Sequence, residues 1–304
     1  MDKAENTTTT YQPRLLLVDD DPAMIRIIGE MLAEFPDQRF ATTGEAALAL
    51  ARESTPDLIL LDANLPNMTG FDVCEVLKRD PKLARVPVIF VTSHDAPALE
   101  VDAFGMGAAD YVIKPLVAPR LQARVRAQLR VKGRVMAAQA RVRDEGARFA
   151  IPSQDAVRVV GIFGNESAAA HREALAALGE LDIVTDCDGA LRLVEHDVPN
   201  AIVMDARCCA GSCDAVRTLV AANPFVPVIV LADARDSAAE QCTLDAGAAD
   251  VIAKPAKPAV LQARVRAAMV AAQRAQEELR ALQESHAGAS VHPFPVFVED
   301  PRRG

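Results

Sequence analysis

The sequence predicts an α/β protein of two doubly wound (βα)5 domains, each on a five-stranded parallel sheet, joined and followed by extended helices. Three observations carry that reading: a repeat at one long offset, apolar runs of strand length between stretches of helical spacing, and no apolar–polar alternation within the runs. Gly-Ala-Ala-Asp at 107–110 recurs at 247–250, Lys114-Pro115 recurs as Lys254-Pro255, and Leu-Gln-Ala-Arg-Val-Arg-Ala at 121–127 recurs at 261–267, all 140 residues apart. Solenoid repeats run about 20–50 residues, so this period marks duplicated domains. A chain of 304 residues accommodates two domains of about 100–200 residues each.

The elements follow in order. In the first copy, residues 15–18, 58–61, 88–91 and 111–113 read as strands, with a weaker run at 39–42. In the second copy the strands fall at 157–163, 182–187, 201–204, 227–231 and 250–253. Continuous apolar runs fit strands covered on both faces, as in a parallel sheet between helices. The intervening segments keep helical spacing: Ile25, Ile28, Met31 and Leu32 follow Pro22, a residue suited to the first helical turn. The chain divides into a flexible start (1–12), a first domain (13–132), a helical linker (133–155), a second domain (156–270), a helical extension (271–286) and a flexible tail (287–304).

Composition sets limits on function. Half the residues are hydrophobic and a quarter charged, as in soluble globular proteins. With Trp absent and aromatics scarce, the cores must be built from Leu, Ile, Val, Ala and Met. A net charge of −9 argues against non-specific nucleic-acid binding, which needs basic surface. No apolar run approaches the roughly 18–20 residues that span a bilayer, and residues 1–12 carry no signal-peptide core. The expectation is a cytoplasmic protein with no membrane contact and reduced cysteines.

In doubly wound sheets, functional groups gather at the carboxyl ends of strands. Here the first copy places Asp19, Asp20 and Asp21, then Asp62, Thr92 and Lys114, each directly after an apolar run. Converging carboxylates repel one another, and an all-oxygen set fits a hard cation such as Mg²⁺. A lysine and a hydroxyl complete a pocket for a tetrahedral anion, and a carboxylate can act as the nucleophile that forms an aspartyl phosphate. Taken singly, each residue also fits a solvated loop acid or a strand terminator; it is their joint placement that points to phosphoryl chemistry.

The motifs Leu-Leu-Val-Asp-Asp-Asp-Pro (16–22), Leu-Ile-Leu-Leu-Asp (58–62), the 66–70 turn, Val-Ile-Phe-Val-Thr (88–92) and Tyr-Val-Ile-Lys-Pro (111–115) resemble a response-regulator receiver domain with a flavodoxin-like fold, over residues 13–130. The resemblance implies Asp62 as phosphoacceptor. It implies Mg²⁺ held by Asp20 and Asp62, with Asp19 nearby and the Asn64 carbonyl as a further ligand. Lys114 would pair with the phosphoryl group, Thr92 and Tyr111 would switch, and Asn64 and His94 would tune the phosphate's lifetime. It also implies a cis Lys114–Pro115 bond, and a histidine kinase or phosphotransfer protein as donor.

The second copy keeps Asp205 and Lys254 but reads Phe163-Gly-Asn-Glu166 where the acids should be, with Ala232 for the threonine and Val251 for the tyrosine. It is expected to be a degenerate receiver acting as adaptor, with Asp205 poorly phosphorylated and Glu166 the nearest substitute acid. Gly161 and Gly164 do not make a dinucleotide fingerprint. The cysteines at 208, 209 and 213 match no zinc spacing and read as incidental thiols.

Arginines on the first exit helix read as a solvated face. In the second, Leu261, Val265, Ala268, Ala272, Ala275, Leu279 and Leu282 form a heptad seam, fit either for a weak coiled coil or for packing on its own domain. The expected function is a two-component regulator whose phosphorylation at Asp62 alters dimerisation or binding of a downstream protein, with no catalytic domain of its own. The tandem arrangement also resembles the front half of tandem-receiver diguanylate cyclases, which would make the chain the regulatory part of an enzyme. No Gly-Gly-Asp/Glu-Glu-Phe signature is present, and no helix-turn-helix domain follows either copy.

Overall fold

The computed structural model describes residues 12–145, 151–152, 156–209, 211–233 and 236–289. The first half runs β1 (Arg14–Val18), α1 (Pro22–Met31), β2 (Asp37–Ala41), α2 (Gly44–Glu53), β3 (Leu58–Asp62), α3 (Gly70–Arg79), β4 (Val88–Thr92), α4 (Pro97–Gly105), β5 (Asp110–Ile113) and α5 (Ala118–Glu145). The second half repeats the order: β6 (Arg158–Ile162), α6 (Asn165–Ala176), β7 (Glu180–Val184), α7 (Cys187–His196), β8 (Ala201–Asp205), α8 (Ser212–Ala222), β9 (Val228–Asp233), α9 (Ser237–Ala246), β10 (Asp250–Lys254) and α10 (Pro258–Ala289). Two five-stranded parallel sheets result, ordered β2-β1-β3-β4-β5 and β7-β6-β8-β9-β10. This is the predicted flavodoxin-like α/β class.

Alternate strand residues supply the two faces of each sheet. Leu15, Leu17, Leu58, Leu60, Ile89 and Val91 pack toward α1 and α5 with Ile28, Leu121 and Val125. Leu16, Val18, Ile59, Leu61, Val88 and Phe90 pack the other way, against α2 and α3 residues such as Leu48 and Val73. Each fully buried Leu or Val contributes about 1.5–3 kcal/mol relative to exposure, so both layers hold the strand ends in place.

Local signals start the helices. Asp21 caps α1 through the Ala23 N–H, with Pro22 in the first turn. Thr69 and Asp72 form a reciprocal capping box on α3. Gly70 has to be glycine, because a Cβ there would lie 2.1 Å from the Asp62 carbonyl oxygen. That close approach seats the start of α3 directly beneath the end of β3.

The structure corrects four sequence expectations. The weak second strand lies at Asp37–Ala41, not 39–42, and β7 at Glu180–Val184, not 182–187. Cys187 instead opens α7, because the Asp186 carboxylate accepts the Gly189 N–H as its cap. The cysteines are not all reduced: Cys213 and Cys242 form a disulfide between α8 and α9. Arg124, read as part of a solvated face, is 4% exposed. The heptad seam takes the second of its two expected roles, since Leu261, Val265 and Ala268 enter the core of their own domain. Leu279 is also buried, and the side chain of Leu282 lies outside the described residues. Both Lys–Pro bonds are cis.

Candidate functional site

Asp62 ends β3, Asp19 follows β1, Thr92 ends β4 and Lys114 follows β5, so the parallel topology brings all four to one edge of the first sheet. Asp62 is 4% exposed and Asp19 2%. Lys114 Nζ donates to Asp62 Oδ1 and Asp19 Oδ2, both at 2.8 Å. The remaining Asp62 oxygen accepts the Asn64 N–H at 2.7 Å, and Asp19 Oδ1 accepts the Asp21 N–H at 3.0 Å. Asp20 is exposed beside the pocket. Burial holds the Asp62 carboxyl above its usual 3.8, against the pull of Lys114 and the Asn64 N–H. Burial also opposes the Lys114 charge, but the hydrogen bonds it donates to Asp19 and Asp62 outweigh it and raise the lysine.

The residues expected to switch form a second layer. Thr92 Oγ1 accepts the His94 N–H at 3.2 Å, and the Asn64 amide nitrogen lies 3.2 Å from His94 Nδ1. Tyr111 is buried, and its hydroxyl donates to the His94 carbonyl at 2.9 Å. Asn64, Thr92, His94 and Tyr111 therefore form one connected network beside Asp62.

The second sheet brings less together. Lys254 Nζ donates to Asp205 Oδ1 at 2.7 Å, and the Arg207 N–H donates to the same oxygen at 3.0 Å. Cys208 lies over the place of the missing acids, its sulfur accepting the Gly164 N–H at 2.9 Å. The side chain of Glu166 lies outside the described residues. Sequence reasoning missed Asp233, which pairs with Arg207 at 3.2 Å and lies 3.9 Å from Lys254.

It also missed a buried ionic cluster between the two halves. Arg124 of α5 donates to Asp110, Asp250 and Glu240, and Arg264 of α10 donates to Asp250, Asp110 and Glu100. Glu100 and Glu240 stand 140 residues apart, as do Asp110 and Asp250, and Arg124 and Arg264. The two halves thus grip each other with equivalent residues, about a pseudo-two-fold axis. Arg264 also donates to the Tyr111 carbonyl at 3.2 Å and lies over the Phe104 ring. The signal was present in the repeat itself, which contains both arginines and both aspartates.

Residues 15–126, which carry the carboxylate-and-lysine pocket around Asp62, match the family model described as the response regulator receiver domain. Among particular proteins, the chain is 30% identical to "Response regulator PleD" of Caulobacter vibrioides over 266 residues, covering 83% of this chain and 58% of that protein. "DNA-binding response regulator MtrA" of Mycolicibacterium smegmatis is 42% identical over 122 residues, covering 40% of this chain and 52% of that one. The signal receiver domain of a Luxo repressor protein from Vibrio parahaemolyticus aligns at 32% identity and a TM-score of 0.38, over 40% of this chain and 92% of that one. The chain spans between half and six-tenths of the length of these two curated relatives. Among the described residues, no helix is long and apolar enough to cross a membrane.

Proposed function

We propose that the protein is a two-component regulator that accepts a phosphoryl group on Asp62 from a histidine kinase or phosphotransfer protein. The observation that carries this reading is the Lys114 ammonium held 2.8 Å from both Asp62 and Asp19. In transfer from a phosphohistidine, an Asp62 oxygen attacks phosphorus, the P–O bond forms, and the P–N bond to the donor imidazole breaks. Lys114 stays in place to neutralise charge on the transferred group. The Thr92 hydroxyl turns from His94 toward the phosphoryl oxygens.

The donor set fits Mg²⁺, since two buried carboxylates, an exposed one and the Asn64 carbonyl are all hard oxygen ligands. Asp20 and Asp62 would hold the ion with the Asn64 carbonyl, and Asp19 would lie beside it. Bound there, it would supply the positive charge that draws phosphoryl oxygens to the pocket.

The second domain acts as an adaptor, and two features support this. Its pocket has phenylalanine and glycine where the first has acids, and its α9, β10 and α10 supply the groups that meet the first domain's α4, β5 and α5. Phosphorylation at Asp62 would reach that contact through Tyr111, whose hydroxyl touches His94 and whose carbonyl touches Arg264.

A second reading is favoured by one observation, that the chain spans only 58% of PleD. The chain would then be the regulatory part of a larger tandem-receiver diguanylate cyclase, and the length of the native reading frame decides between the two. The central reading is tested with acetyl phosphate and Mg²⁺ on the wild type, Asp62→Ala and Asp205→Ala. Labelling should vanish in Asp62→Ala and persist in Asp205→Ala; equal labelling of all three proteins overturns the assignment.

A further inference from the structure

The helix α9 lies between two neighbours and is fixed to each by different chemistry. On one side, Cys242 of α9 is bonded to Cys213 of α8, with the two Cα atoms 5.9 Å apart. On the other, Glu240 pairs with Arg120 and Arg124 of α5, and Asp245 with Arg126 and Arg130. Glu240 stands two residues before Cys242 in the same helix. The covalent tie to the second domain and the ionic grip on the first therefore share one short rigid segment. Besides the bond, Leu244 anchors α9 in the core of its own domain. Both bonded cysteines are partly exposed, which leaves them within reach of a small reagent. The first domain has no counterpart: Asp102 stands 140 residues before Cys242, and its one cysteine, Cys74, is buried in α3.

We propose that Cys213–Cys242 is a reversible bond, opened by low-molecular-weight thiols and closed by the corresponding disulfides, that sets how firmly α9 is held against α5. The order of attack follows from position. Cys213 is the second residue of α8, in the turn whose free N–H groups and dipole favour negative charge. The neighbouring Asp214 is paired with Arg217. A thiolate is stabilised at that end of a helix, and the thiol of lower pKa leaves faster. Cys242 is the sixth residue of α9 and has no such turn. A small thiolate therefore attacks the Cys242 sulfur. A new S–S bond forms there, the 213–242 bond breaks, and Cys213 leaves as a thiolate and takes up a proton.

A second small thiolate then attacks the small-molecule sulfur of the mixed disulfide, and Cys242 leaves and is protonated. Two small thiols are oxidised to one small disulfide, and one protein disulfide is reduced to two thiols. The reverse sequence closes the bond. With the bond open, α9 keeps Leu244 in the core and its ion pairs to α5 but loses the tie to α8. A segment with fewer contacts opens locally at lower cost, so α9 opens more often, and Glu240 lets go of Arg124 with it. The proposal is independent of phosphoryl transfer at Asp62.

The test uses the full chain equilibrated at set ratios of reduced to oxidised glutathione, then quenched with excess alkylating agent under denaturing conditions, with peptides mapped without reduction. Thiols at 213 and 242 should become alkylatable as the ratio rises, and the 213–242 cross-linked peptide should return when oxidised glutathione is restored. Early in the reduction, the glutathione adduct should be on Cys242. Amide hydrogen exchange in α9 should be several-fold faster in the reduced protein than in the oxidised one, with α6 unchanged. In Cys242→Ser, α9 should exchange at the reduced protein's rate whatever the glutathione ratio. A cross-link that survives in the folded chain at every ratio would mean a purely structural bond and overturn the proposal. So would thiols at 213 and 242 that stay alkylatable in oxidised glutathione, a first adduct on Cys213, or an α9 exchange rate that does not follow the bond.

Discussion

At Asp62, burial and hydrogen bonding pull in opposite directions. Its carboxyl is buried, and burial raises it above 3.8 in the folded chain even with Lys114 and the Asn64 N–H against it. A carboxyl whose folded pKa is raised binds its proton more tightly folded than unfolded. Stability therefore declines as pH rises from about 3.8 through the folded value, and stays lower above it. Asp62→Asn keeps the shape and removes the charge, and Lys114 keeps Asp19 as its partner. We expect this variant to unfold at a higher urea midpoint than wild type at pH 7, with the difference shrinking as pH falls through the carboxylate range. A lower midpoint at pH 7 would mean that the Lys114 pair outweighs burial.

At the scale of elements, legibility in the sequence followed burial. The central strands β1, β3 and β4 are continuous apolar runs because both faces are covered, and their ends fixed Asp19, Asp62 and Thr92 at one edge. Edge strands gave less signal: β7 reads Glu-Leu-Asp-Ile-Val and is nowhere fully buried, so the sequence placed it too late. The seam of α10 has the same period whether it meets a second chain or its own domain, so spacing alone left that open. Arg124 and Arg264 looked like solvated charges because arginine is seldom buried unless it is paired, and the pairing depends on a partner domain that sequence spacing cannot bring near.

Those arginines carry an element-scale prediction. Arg264 fastens α10 to α4 and β5 through Glu100 at 2.6 Å and Asp110 at 3.1 Å, and to its own β10 through Asp250 at 2.7 Å. Burial already drives Asp250 above 3.8, with Asp110 adding to it and Arg264 opposing it. Arg264→Ala would leave three carboxylates short of a cation, a loss of about 3–5 kcal/mol for a broken buried pair. Adding Asp250→Asn removes one stranded charge and should recover part of that loss in urea unfolding. Full additivity of the two changes would show that the groups do not interact.

Across the whole molecule, the ionic cluster makes the two domains one mechanical unit. The pseudo-two-fold arrangement covers the α4–β5–α5 face of the first domain with the corresponding face of the second, within a single chain. Beyond the cluster, Arg126 bridges Glu34 and Asp245 at 2.8 and 3.3 Å, Arg130 donates to the Leu244 carbonyl, and Glu278 of α10 meets Arg85 of the first domain. Contacts run from the Tyr111 carbonyl to Arg264, and from Asp110 through Arg124 to Glu240 of α9. Phosphorylation at Asp62 should accordingly change amide hydrogen exchange in α9 and in the first turns of α10, more than 170 residues along the chain from the acceptor. The helix α7, which lies outside the cluster, should keep its exchange rate, and the Asp62→Ala protein should show no change under the same phosphodonor. Exchange that alters only within residues 15–126 would mean that the cluster holds the domains together without carrying the signal between them.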